Sequence, residues 1–181
     1  CKGLTIYREG SRTGVLVSND DKKTEETSFR VNHSPVRPIK LDAEVVRFMN
    51  EKNSWIAVVG LLDGKPYEIF TGLAEDTFVL PTTVEKSWII KSKDDNGESR
   101  YDFQYIDKNG FRVTHEGLSR SFDRVYWNYA KLISGVLRHG MPLTKVVDLV
   151  NDLNVENDTI NSWKKGIARS LKKFIPDGTK V

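Results

Sequence analysis

Few residues in this chain have types and spacings that could carry chemistry. The histidines stand too far apart for metal ligation, and the aspartates stand at predicted turns, where carboxylates usually bond local backbone. The glycines at 60 and 64 lack the spacing and the following Lys-Ser/Thr of a phosphate loop. The histidines are His33, His115 and His139, and the turn aspartates are Asp63, Asp94, Asp95 and Asp107. We therefore predict no catalytic residue, no cofactor-binding residue and no metal ligand among them.

Basic residues give the clearest signal for binding. Five of them lie opposite the apolar stripe of the last predicted helix: Lys164, Lys165, Arg169, Lys172 and Lys173. With Lys131 and Arg138 they could form a positive surface that binds phosphate or nucleic acid. A solvated helix face explains the pattern equally well, and we favour that explanation. Aromatic residues of the predicted strands could stack bases, although core packing is the more ordinary role: Tyr101, Phe103, Tyr105 and Phe111.

The composition is typical of a soluble globular protein. Charged residues make up 29% and apolar residues 38% of the 181 positions, and the net charge of +3 argues for neither nucleic acid nor membrane as a partner. No apolar run approaches the roughly 20 residues that span a bilayer, and no signal-peptide pattern opens the chain. The only cysteine, Cys1, excludes an internal disulfide and fits a reducing cytoplasm.

The chain opens on a segment that cannot be stable by itself. Cys1–Val17 holds a short apolar strand, Leu4–Tyr7, and a glycine-containing turn. A lone strand leaves its backbone groups unpaired and its faces exposed, so we interpret it as the last strand of a larger sheet. Residues 18–40 are polar, carry both charge signs and lack periodicity, which predicts a flexible, disordered linker.

A sheet is predicted over residues 41–118, followed by helices over 119–176, within one α+β domain spanning 41–181. Alternating apolar residues and turn signals at Asp63-Gly64, Asn96-Gly97 and Asn109-Gly110 predict an antiparallel meander of about six strands. The period then changes to that of helices. Three helices are expected to pack on one sheet face, the first over about 123–139.

The helix boundaries are predicted from capping residues. Ser119 or Ser121 could cap the first helix, which Gly140 ends. Pro142 suits the first turn of the second helix. Asp158 or Thr159 could cap the third.

Several blocks, in this order and spacing, resemble the C-terminal region of ribonucleotide reductase large subunits. The opening KGLTIYREGSR, Lys2–Arg12, resembles the segment that closes their catalytic barrel. The later YWNYAKLISGVLRHG, Tyr126–Gly140, resembles a helical part of the accessory domain that follows the barrel, which is called TSCPD-like. Arg37-Pro38, Gly60–Glu68 and Ile175–Thr179 also fit. The closest similarity is to the adenosylcobalamin-dependent, class II type.

The resemblance implies a part of a ribonucleoside-diphosphate reductase, an oxidoreductase that makes deoxyribonucleotides for DNA synthesis by thiyl-radical chemistry. Adenosylcobalamin would act in the parent enzyme and would not be bound here. The implied partners are the N-terminal catalytic barrel and, through a cysteine-rich tail, a thioredoxin-type reductant. Because the chain has one cysteine, we expect it to be non-catalytic by itself. Tyr7 is a candidate barrel-strand residue, although the tyrosine pair that relays a radical in class I enzymes is absent.

A second hypothesis is a stand-alone α+β module. It would bind nucleotide or single-stranded nucleic acid through the basic helix face. The opening strand would join the local sheet under this hypothesis, whereas under the first it would dock into a barrel.

Overall fold

The structure, a computed structural model, describes residues 30–50, 52–75, 78–84 and 86–179. The predictions for Cys1–Val17, including Tyr7, and for most of the linker lie outside these residues. Contacts divide the chain after Val31, and every element described here belongs to the unit Asn32–Val181.

Six antiparallel strands form one sheet, which confirms the predicted α+β class. The strands are β1 Lys40–Asn50, β2 Asn53–Leu62, β3 Lys65–Leu73, β4 Ser87–Lys93, β5 Ser99–Ile106 and β6 Arg112–His115. Their order is β3-β2-β1-β4-β5-β6. The chain follows a meander except once, where it leaves the edge strand β3 and returns as β4 beside β1.

The hairpin turns form where the sequence predicts them. Asp63 and Gly64 both have positive φ, 50° and 75°, as a two-residue hairpin turn requires. Asp94 accepts backbone hydrogen bonds from Asn96 and Glu98, at 3.0 and 2.9 Å. Asp107 does the same in the next turn. The prediction that turn aspartates bond local backbone is thus confirmed for Asp94 and Asp107.

The helices are α1 Leu118–Ser121, α2 Arg124–Arg138, α3 Leu143–Asp152 and α4 Asp158–Lys172. Two predicted caps are wrong. Asp123, whose side chain accepts from the Val125 N–H, caps α2, whereas Ser119 and Ser121 lie inside the short helix α1. Asn157 caps α4, and Asp158 and Thr159 are already helical, because the amide oxygen of Asn157 reaches the Ile160 N–H at 3.1 Å. Pro142 stands just before α3.

The three long helices bury their apolar stripes in one core cluster with β1, β2 and β3. Trp55 packs edge-on against Tyr126 of α2, and Phe48 stacks on Trp55. Helix α4 approaches so closely that a Cβ atom on Gly166 would lie 1.7 Å from the Phe48 ring. The glycine therefore sets the distance between this helix and the sheet.

Helix α2 also packs along β3, one of the two edge strands of the sheet. The Ile69 N–H of edge strand β3 donates to Ser134 Oγ at 3.0 Å, and this oxygen lies 3.2 Å from the Ile69 carbonyl. An uncovered edge would leave these backbone groups open to pairing with another strand. Ser134 thus satisfies the Ile69 N–H and ties α2 to β3.

The opposite sheet face is curled around a second apolar cluster. Phe70 of β3 and Tyr101 of β5 have ring centroids 5.4 Å apart. In a flat sheet, strands four places apart in the order would be separated by about 19 Å. The sheet must therefore curve strongly to bring the two strands together.

Candidate functional site

A buried carboxylate holds two arginines at the curled side of the sheet. Glu68 of β3 is completely buried, and Arg37 reaches it from the segment before β1 with a side chain only 8% exposed. Arg37 donates to both carboxylate oxygens, at 2.5 and 2.9 Å. Arg138, in the last turn of α2, lies 3.3 Å from Glu68 Oε2. We call these three residues the charge cluster.

The local sequence makes room for this cluster. Glu68 pairs across the ladder with Gly60 of β2. A Cβ atom on Gly60 would lie 2.7 Å from Glu68 Cγ, so a larger residue there would collide with the buried side chain. Arg37 uses its remaining donors on the Pro38 and Ile39 carbonyls, at 2.6 and 3.1 Å. The cluster is thus held by hydrogen bonds from several segments rather than by a lone ion pair.

A cavity of about 400 Å³ lies beside the charge cluster. We call it the polar pocket, and strands β3 and β5 with helices α1 and α2 supply its walls. The described residues that line it are Phe70, Ser99, Tyr101, Ser119, Trp127, Lys131, Ser134 and Arg138.

Three aromatic rings form one side of the polar pocket. Phe70 lies 5.1 Å from Trp127 and 5.4 Å from Tyr101, between centroids, so it supports both. The Tyr101 and Trp127 rings are 6.3 Å apart and inclined by 60°. Each is only half-buried. Flat apolar surface is therefore available to a ligand ring.

The other side of the polar pocket is cationic. Lys131 is exposed on α2, and Arg138 lies two turns further along the same helix face. The Arg138 Nε atom is buried without a hydrogen-bond partner among the described residues. None of the described lining residues is acidic. A pocket with flat rings, an exposed lysine and a partly exposed arginine is suited to an anionic ligand that carries a ring.

A second concavity, of about 300 Å³, is almost entirely apolar. It lies among α2, α3 and the start of α4, and we call it the apolar groove. Its rim exposes Leu132, Leu149 and Leu153 by 70%, 45% and 42%. A contiguous exposed apolar patch is typical of a protein or membrane interaction site or a ligand-binding groove.

The five basic residues predicted to contact phosphate have different surroundings. Lys164 donates to the Asn151 and Leu153 carbonyls, at 2.8 and 2.7 Å, and so caps the end of α3. Lys173 pairs with Glu44 of β1. Lys165, Arg169 and Lys172 are exposed on α4, and their contact with phosphate stays a prediction. Lys131 and Arg138 line the polar pocket, which has no described lining residue from α4.

The predicted base-stacking aromatics also separate. Tyr101 lines the polar pocket, whereas Phe103 and Tyr105 are buried in the second apolar cluster. Phe111 is 69% exposed beside the last hairpin turn.

The histidines are not brought together for chemistry. His33 lies before β1, and His139 ends α2 with its ring Nδ1 bonded to the Gly135 carbonyl at 2.8 Å. His115 of β6 stacks on Phe78 at 4.0 Å, and burial lowers the pKa of its imidazole. In the described part of the chain, no group of three His, Cys, Asp or Glu could hold a metal ion. No helix there is both long and apolar enough to cross a bilayer.

Neither the charge cluster nor the polar pocket was predicted from the sequence. The available signal was Glu68 in an otherwise mostly apolar strand. A buried glutamate needs a cation as its partner. Arg37 and Arg138 stand 31 and 70 residues from Glu68, so no spacing rule joins them. Trp127 was not predicted to take part in a site.

A family model described as NrdJ homologue C-terminal domain matches residues 41–176, well over half of the 181-residue chain. No curated protein matches the chain, and no solved structure does.

Proposed function

The chain belongs to the NrdJ homologue C-terminal domain family, and we propose that it acts as an accessory domain of a ribonucleotide reductase. The family match is the observation that carries this proposal. In such an enzyme the domain would contact the catalytic part and help to position its redox-active tail. The resemblance of the opening and helical blocks to reductase large subunits supports the same assignment. It also supports the class II, TSCPD-like form.

Catalysis would take place outside this chain. Thiyl-radical reduction of a ribonucleotide needs a radical cysteine and a second cysteine pair that supplies electrons, and the sequence has one cysteine. A thioredoxin-type protein would restore the pair through cysteines elsewhere in the enzyme. We therefore infer that this chain contributes to binding and positioning, and performs no turnover by itself.

Adenosylcobalamin is the radical source that class II chemistry implies. Its corrin ring and adenosyl group need a far larger surface than the polar pocket, whose volume of about 400 Å³ suits a small ligand. The described residues therefore do not fit this cofactor, and we assign it no contact with them.

The apolar groove is the surface best suited to the catalytic part of the reductase. The groove is formed by three helices, its floor contains core residues such as Val146 and Trp163, and its rim exposes three leucines by 42–70%. A C-terminal domain has the remainder of its enzyme as the nearest partner. Burying the leucine rim would remove apolar surface from water, at about 25 cal/mol per Å².

Sedimentation velocity of this chain with the catalytic part of the same organism's reductase tests the proposal. We expect a complex that Leu132→Asp weakens, because a carboxylate would be buried against an apolar partner. Phe111→Asp is the matched control, since Phe111 and Leu132 are 69% and 70% exposed and Phe111 lies outside the groove. A complex that both variants weaken equally, or no complex, would overturn the proposal.

A further inference from the structure

The polar pocket combines stacking surface with positive charge, and the role as an accessory domain uses neither. We propose that this pocket binds a mononucleotide, with the base against Tyr101 and Trp127 and the phosphate at Lys131 and Arg138. The inference goes beyond the proposed function and does not depend on it.

The ring side of the pocket is suited to a nucleobase. Phe70 touches both outer rings from within the second cluster, so their positions are held by packing. Stacking on an aromatic side chain is worth about fivefold to 150-fold in affinity for each base. Tyr101 also lies under the Arg37 and Lys91 cations, at 5.4 and 5.8 Å from its ring centroid. Because Glu68 neutralises Arg37, the Lys91 ammonium group provides the net positive charge beside this ring, and that charge favours a base that carries a phosphate.

The cationic side is suited to a phosphate because one of its donors is preorganised. Glu68 holds Arg138 in place, yet its charge is already matched by the two-pronged contact with Arg37. Two arginines around one carboxylate leave a net positive charge, and the Arg138 side chain is 29% exposed. Lys131 adds an ammonium group to the same pocket. An arginine held in place loses little side-chain entropy when it binds a phosphate.

The dimensions favour a single nucleotide over a nucleic-acid strand. A strand-binding surface needs successive aromatic platforms along a basic groove. Here the stacking rings form one group around a cavity of about 400 Å³. Phe103 and Tyr105, which would have extended the platform along β5, are buried.

Isothermal titration calorimetry of the whole chain tests the inference with ATP, adenosine and tripolyphosphate as probes. We expect ATP to bind at least about tenfold more tightly than either of the other two, because only ATP uses both sides of the pocket. Tripolyphosphate that binds as tightly as ATP would reduce the pocket to a positive patch and overturn the proposal. A dissociation constant for ATP above about 1 mM would also overturn it.

Variants locate the binding. Lys131→Glu should weaken ATP at least about tenfold, and since Lys131 is exposed, its folding should be unaffected. Lys165→Glu is the control with the same charge change on an exposed helical lysine outside the pocket, and it should change affinity less than twofold. Tyr101→Leu should weaken ATP but leave tripolyphosphate unchanged. Equal losses for Lys131→Glu and Lys165→Glu would place the nucleotide elsewhere and refute the assignment.

Discussion

Replacement of Glu68 by glutamine removes one charge and keeps the shape of the side chain. Arg37, only 8% exposed, then has no counter-ion. Leaving a buried charge without its partner costs about 3–5 kcal/mol of folding free energy. Arg138 is 29% exposed, so solvent screens its loss, which adds less than about 1 kcal/mol. The free energy of unfolding should therefore fall by about 3–5 kcal/mol.

Urea denaturation followed by tryptophan fluorescence measures this change. With a slope near 2 kcal/mol per M, the midpoint should fall by about 1.5–2.5 M. Glu44→Gln is the matched control, because it breaks the exposed pair with Lys173 and should cost less than about 1 kcal/mol.

A double variant distinguishes the lost charge pairing from a general disturbance of the fold. Arg37→Met together with Glu68→Gln should recover at least half of the loss, because no unpaired charge remains at Arg37. A cost below about 1 kcal/mol for Glu68→Gln, or a double variant whose cost is the sum of the two single-variant costs, would refute this role of Glu68.

Further substitutions test the packing of α4 on the sheet, the cap at the end of α3 and the half-buried His115. Gly166→Ala should lower the free energy of unfolding by about 1–3 kcal/mol in urea denaturation, because the added Cβ would meet Phe48. Gly135→Ala should raise it by about 0.5–1 kcal/mol, because a Cβ there meets open space in α2. Changes of the same sign in both variants would contradict this packing. Lys164→Met should lower the thermal midpoint by about 2–4 °C through loss of the α3 cap, and an unchanged midpoint would show that the cap contributes nothing. Burial lowers the pKa of His115 in the folded state, so the unfolded chain binds the proton more readily and stability should fall as the pH drops below about 6.5. His115→Phe should reduce the difference in unfolding free energy between pH 7.5 and pH 5. An unchanged difference would count against this role of His115.

Local signals predicted most of the fold. The Asp63-Gly64 turn and the turns near Gly97 and Gly110 depend on a few neighbouring residues, and all three lie where they were expected. The caps at Asp123 and Asn157 were missed by one to four positions because several adjacent residues can accept the same backbone hydrogen bond. The placement of β4 beside β1 depends on long-range pairing, which no local pattern specifies.

The candidate site was far less predictable because it is assembled by curvature. Tyr101 and Phe70 meet only because the sheet is strongly curved. The alternation of apolar and polar residues predicts a strand but not the curvature of its sheet. Trp127 and Lys131 stand four residues apart and so share one face of α2, a spacing that does not distinguish core packing from the wall of a pocket. Their common pocket follows from the packing of α2 along β3, where one helix face reaches past the sheet edge.

The most direct test of the accessory role is turnover measured with the chain supplied separately. Ribonucleotide reduction should be absent from this chain alone, low for a reductase deprived of this domain, and higher when the two are mixed. Leu132→Asp should remove that increase, and Phe111→Asp should preserve it. Reduction by the chain alone, or no change on mixing, would contradict the assignment to a ribonucleotide reductase.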